Sequence, residues 1–156
     1  RETTAYLLLR LATGGEPAGA VELRYDRILG AVEHGEVDAG LIIHESRFTY
    51  AEHGLVRVRD LGDWWEGESG LPVPLAAICA RDDLDAETAA AAERAIRASV
   101  EHAFAHREDS RAWVRANAQE LSDEVCDQHI ALYVNEFSID LGDEGLRAID
   151  ALVARA

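Results

Sequence analysis

His44 stands in the run Asp38-Ala-Gly-Leu-Ile-Ile-His-Glu-Ser-Arg-Phe-Thr-Tyr50, where an apolar stretch gives way to helical spacing. Leu41, Ile42 and Ile43 read as a short strand covered on both faces, while Phe48, Ala51 and Leu55 recur at three- and four-residue intervals around the helix stop offered by Gly54. A histidine at the carboxyl end of a strand and the amino end of a helix lies where open α/β sheets expose chemistry. The positive end of the helix disfavours imidazolium, leaving a ring able to accept a proton. A histidine that merely caps the helix fits the same position equally well.

Thr3, Thr4 and Ala5 form a second candidate group at the head of a helical pattern carried by Leu7, Leu8, Leu9 and Leu11. Their backbone N–H groups and two hydroxyls would hold a carboxylate or phosphate without any basic side chain. Ordinary capping by Thr is the commoner outcome, and local evidence alone favours it. Trp64 and Trp65 could pave a cleft, although a Trp pair before a turn more often packs. His34, His53, His102, His106 and His129 show no metal-ligand spacing, and GxGxxG, P-loop, GxSxG and paired-Cys patterns are all missing from the sequence. Proton transfer without a metal or cofactor is the chemistry these residues leave.

The elements needed to position these groups follow from periodicity. The sequence predicts a helix at about 4–12, a strand near 20–24, a helix near 26–34, a strand over 38–43, a helix to about 53 and a strand near 55–59. An irregular or short helical stretch through Trp64 and Trp65 then leads to a strand near 73–80. Alternating strands and helices predict an α/β fold with a largely parallel sheet. From about residue 85 only helices are expected: a long Ala-rich one through Phe104, then 109–118, one after Ser122 to about Asn135, and 143–155. The two prolines of Gly70-Leu-Pro-Val-Pro74 mark the boundary between the halves.

With 15 basic against 30 acidic residues in 156, the formal charge of −15 argues against nucleic acid or an anionic membrane as partner. No apolar run approaches the roughly 20 residues of a membrane span. Cys79 and Cys126 fit no paired pattern, which suits small buried side chains and a reducing compartment. The sequence lacks Met, shows no signal peptide, and enters a helix with no strand before it; this predicts that the natural chain begins earlier.

The run Gly40-Leu-Ile-Ile-His-Glu-Ser-Arg-Phe-Thr-Tyr50, followed by Asp60-Leu-Gly-Asp-Trp-Trp-Glu66 and Gly70-Leu-Pro-Val-Pro-Leu75, resembles the 1,4-dihydroxy-6-naphthoate synthases of the futalosine route to menaquinone. Thr3-Thr-Ala-Tyr6, Arg24-Tyr-Asp-Arg-Ile28 and Tyr133-Val-Asn-Glu-Phe-Ser138 extend the resemblance over nearly the whole chain. It implies an α/β fold similar to type II periplasmic binding proteins, with two lobes and a cleft between them, here lacking roughly the first hundred residues of the family. Residues 1–73 would be most of the second lobe. Residues 74–156 would supply a crossing strand and the carboxyl-terminal helices of the first. The resemblance further implies a cytoplasmic lyase acting on cyclic dehypoxanthine futalosine, a small-molecule carboxylate, with no cofactor. His44 would be the general base, and Thr4 and Ala5, beside Thr3, would contact substrate at a helix end. A chain with only one wall of the cleft is expected to be inactive alone. The related chorismate dehydratase lacks the His44 run. A non-catalytic binding module would instead keep its ligand affinity when His44 is replaced. Whether Glu45 orients His44 is left open at this stage.

Overall fold

A helix satisfies its backbone from within, so the expected helices are the elements the chain can build from local sequence. In the computed structural model, which describes residues 2–44, 46–118 and 122–156, they form close to the expected positions. The first, α1 (Thr4–Thr13), is followed by a 3₁₀ turn (Tyr25–Arg27), α2 (Ile28–Glu33), α3 (Ser46–Thr49), a second 3₁₀ turn (Tyr50–His53) and α4 (Leu61–Ser69). Then come α5 (Ala86–Ala105), α6 (Arg107–Asn117), α7 (Asp123–Tyr133), a 3₁₀ turn (Glu136–Ser138) and α8 (Gly142–Val153).

The expected strands are a correction. Among the described residues none of 20–24, 38–43, 55–59 or 73–80 forms a strand. A strand needs a partner to complete its hydrogen-bond ladder, and no such pairing forms here. Val56 and Val58, which share a face at strand spacing, are 83% and 88% exposed, so the apolar side of that segment has no cover. The stretch through Trp64 and Trp65 departs in the other direction: it is a full helix. Asp60 caps it, with Oδ1 accepting from the N–H groups of Gly62 at 2.9 Å and Asp63 at 3.3 Å.

The chain divides into two units, one comprising Arg1–Pro74 with Arg147–Ala156, the other Leu75–Leu146. In the first, Leu8 of α1, Trp65 of α4 and Leu152 of α8 make the buried cluster, with Leu7, Leu11, Leu61, Trp64, Val73 and Ala151 packed around it. Trp65 is completely buried and donates its indole N–H to the Pro72 carbonyl at 3.2 Å. The Arg155 guanidinium lies 5.0 Å from the ring centroid.

In the second unit α5 and α7 begin on side-chain caps, whereas α6 begins without one. Asp85 accepts from the Thr88 N–H at 2.9 Å at the head of α5, and Ser122 from the Val125 N–H at 3.2 Å at the head of α7. Arg115 of α6 pairs with Asp123 of α7, and Arg97 of α5 reaches Asp140 at 3.2 Å. Cys126 is buried and Cys79 exposed, both as free thiols.

Candidate active site

The approach to His44 is set by Gly40. A β-carbon there would sit 2.4 Å from Ile28 Cγ2 and 3.1 Å from Val32 Cγ2, so only glycine lets this segment lie against α2. Leu41, Ile42 and Ile43 then run half-buried to His44, which is exposed.

His44 adopts φ +56°, the one left-handed non-glycine backbone among the described residues. His tolerates this region better than most side chains, but such a conformation still costs energy and persists only where the surroundings impose it. Its carbonyl accepts from the Arg47 N–H at 3.3 Å, closing the turn into α3. Its ring meets the Tyr25 ring edge-on, with centroids 5.6 Å apart and planes at 71°. Tyr25 is held in the 3₁₀ turn ahead of α2, where Arg24 bonds Asp26 through Nε at 2.6 Å. That hydrogen bond from Arg24 holds the Asp26 carboxyl below the ordinary carboxylate range.

Beyond His44, the Arg47 side chain extends to Asp60 Oδ2 at 2.7 Å. The Asp60 side chain is only 7% exposed and serves α3 with one oxygen and the cap of α4 with the other. The second 3₁₀ turn is tied to α2 by His53, which donates from Nδ1 to Glu33 at 2.9 Å. That bond lowers the Glu33 pKa.

Thr3 is the N-cap of α1, its Oγ1 accepting from the Tyr6 N–H at 3.2 Å. Thr4 and Ala5 occupy the first two helical positions, whose N–H groups have no acceptor within the helix. Thr3 thus takes the capping role that is the commoner outcome for Thr at a helix start. The route from this end to His44 runs through α4, which packs on α1, then through Asp60 and Arg47.

The remaining residues singled out from the sequence go elsewhere. Trp65 packs in the core, and Trp64 lies against it. His102 bonds Asp109 at 2.8 Å and stacks on His106, while the His129 ring packs on Tyr133. Glu45 lies outside the described residues. Tyr25, Arg47 and Asp60 are the neighbours that residue-by-residue reading did not pick out. All three lie inside the motif runs quoted above, and Asp60 also carries the sequence signature of an N-cap ahead of Leu61.

A family model described as menaquinone biosynthesis matches residues 1–156, the whole chain. The chain belongs to the menaquinone biosynthesis family. Among its relatives in that family, the 1,4-dihydroxy-6-naphthoate synthase of Thermus thermophilus is 57% identical over 157 residues, covering 100% of this chain and 57% of that protein. The same-named enzyme of Streptomyces coelicolor is 49% identical, covering 99% of the chain and 56% of its own length. The crystal structure of protein AF1704 from Archaeoglobus fulgidus superposes with a TM-score of 0.90 at 37% identity, over 99% of this chain and 58% of that one. The chain thus spans little more than half the length of the proteins it matches.

Proposed function

We propose that this chain carries the His44-bearing part of a 1,4-dihydroxy-6-naphthoate synthase, a lyase that converts cyclic dehypoxanthine futalosine to 1,4-dihydroxy-6-naphthoate. The observation that carries the reading is the left-handed backbone of His44 at the head of α3, in a chain that its family matches from end to end. A strained residue in a turn that hands its side chain to solvent is typical of a group held for chemistry.

In this reading His44 is the general base. The edge of Tyr25 sets the ring's orientation, and the first N–H groups of α1, at Thr4 and Ala5, hold the substrate carboxylate at the positive end of that helix. Proton removal leads to carbon–carbon cleavage, release of a sugar-derived fragment and formation of an aromatic product. Aromatisation supplies the driving force, so the reaction asks the protein for positioning and acid–base groups and for no cofactor. The fold proposed with it is the two-lobed type II periplasmic-binding-protein architecture. The bare faces of Val56 and Val58, which the second lobe of such an architecture would cover, support it. Two free cysteines suit a cytoplasmic setting.

The test is His44→Gln in a polypeptide spanning the full length of the relatives. Turnover should fall by about 10²–10⁴-fold with substrate binding retained. Unchanged turnover sinks the base role, and ligand binding with no turnover in the parent protein favours a binding module instead.

A further inference from the structure

We propose that Asp60 is a positioning residue for His44, acting through Arg47. The inference rests on the reading of His44 as the base. Helix α3 comprises four residues, and a single turn fixes many dihedral angles for few hydrogen bonds, so it must be held from outside. Two contacts of one residue hold it. The Arg47 N–H bonds the His44 carbonyl at 3.3 Å, and the Arg47 guanidinium reaches Asp60 at 2.7 Å.

Asp60 is suited to be the fixed end of this tie. Its Oδ1 is locked by the N–H groups of Gly62 and Asp63, which fixes the direction in which Oδ2 meets Arg47. The space beside it is reserved: a β-carbon at Gly62 would lie 3.2 Å from Asp60 Oδ1 and 3.8 Å from Arg47 Nη1. Helix α4, which Asp60 begins, packs on α1, whose first residues are Thr4 and Ala5. One carboxylate therefore references both the base and the anion-holding helix end to the same element. Arg57 also approaches Asp60, at 3.5 Å, but it lies outside the His44 turn and serves as a control.

In a polypeptide of the relatives' full length, kcat and KM for cyclic dehypoxanthine futalosine are measured for Arg47→Ala, Asp60→Asn, their double variant, Arg47→Lys and Arg57→Ala, alongside thermal unfolding. Asn retains the helix cap, so Asp60→Asn removes the ion pair and leaves α4 begun as before. Arg47→Ala and Asp60→Asn should each lower kcat on the order of 10²-fold, the scale of a misplaced catalytic group. KM should move less than about threefold, because the loss falls on the transition state. The double variant should be no worse than either single one, Arg47→Lys should recover part of the loss, and Arg57→Ala should behave as the parent. Gly62→Ala, which crowds the pair without removing it, should lower kcat in the same way to a smaller degree. Retained kcat in Arg47→Ala and Asp60→Asn, even with a lowered melting temperature, overturns the proposal and leaves the pair a purely structural tie. His44→Gln run in parallel separates the two failures. If it abolishes turnover while Asp60→Asn does not, only the positioning role falls. If it leaves turnover intact, the base reading falls and this proposal with it.

Discussion

Gly40 lies so close to Ile28 that a β-carbon on it would stand 2.4 Å from Ile28 Cγ2, well inside van der Waals contact. The obstacle is a branched side chain on a helix, with Val32 Cγ2 at 3.1 Å beside it, so neither can swing clear without opening the packing of α2. Gly40→Ala should therefore destabilise the chain by about 1–3 kcal/mol, the usual cost of overpacking. Urea unfolding followed by far-ultraviolet circular dichroism measures this, and an unchanged midpoint would show that the segment before His44 shifts freely.

Replacing His44 by Ala and by Gly removes the same ring and leaves two backbones with different tolerance of φ +56°. His44→Gly should be the more stable of the two by about 1 kcal/mol, since only Ala must bear the left-handed strain. Equal unfolding midpoints would mean that the turn relaxes out of this conformation once the imidazole is gone.

Trp65 has no exposed surface and one indole hydrogen bond, to Pro72. Trp65→Ala should cost about 3–5 kcal/mol, as for other large core aromatics. Trp65→Phe keeps much of the apolar contact but leaves the Pro72 carbonyl without its donor, for which about 1–3 kcal/mol is expected. Denaturation midpoints of the two variants, compared at equal slope, separate packing from hydrogen bonding.

Acid should loosen the second unit at its helix starts. The Thr88 N–H holds the Asp85 carboxyl below its ordinary range, the Arg115 side chain does the same for Asp123, and the Gly142 N–H followed by Arg97 does so for Asp140. Each group is more acidic folded than unfolded, so its contribution is complete above the unfolded value of about 4 and disappears as pH drops through the lower folded value. Asp85→Asn caps equally well and does not titrate, so it should flatten the part of the acid response that belongs to α5. Backbone carbon chemical shifts of residues 86–90, followed from pH 6 downward, report this directly; identical curves for parent and variant would discount the cap.

The helices were readable because their determinants are local. Asp85 and Ser122 are residue types that favour the cap position, and each accepts from the N–H three residues on, at the heads of α5 and α7. Asp60 has the same signature and caps α4 in the same way. The segments expected as strands contain the right residues, but a strand is completed by a neighbour, and a pattern such as Val56 and Val58 says nothing of where that neighbour is. At the site, His44 and the Thr3–Ala5 helix end were legible as types and positions. The left-handed φ of His44 was not, because nothing in a histidine codes for it. Its contact with Tyr25, 19 residues earlier in sequence, and the Arg47–Asp60 tie both arise from tertiary packing that no local pattern announces.

The cluster of Leu8, Trp65 and Leu152 joins the eighth residue to one 144 positions later. A ribosome delivers residues in order, at about 5–20 per second, so α1 and α4 emerge many seconds before the helix that covers them. During that interval Trp65 has no Leu152 beside it and no Arg155 over its ring. A nascent-chain proteolysis series ending before and after residue 152 would record the protection that Leu152 brings to Trp65.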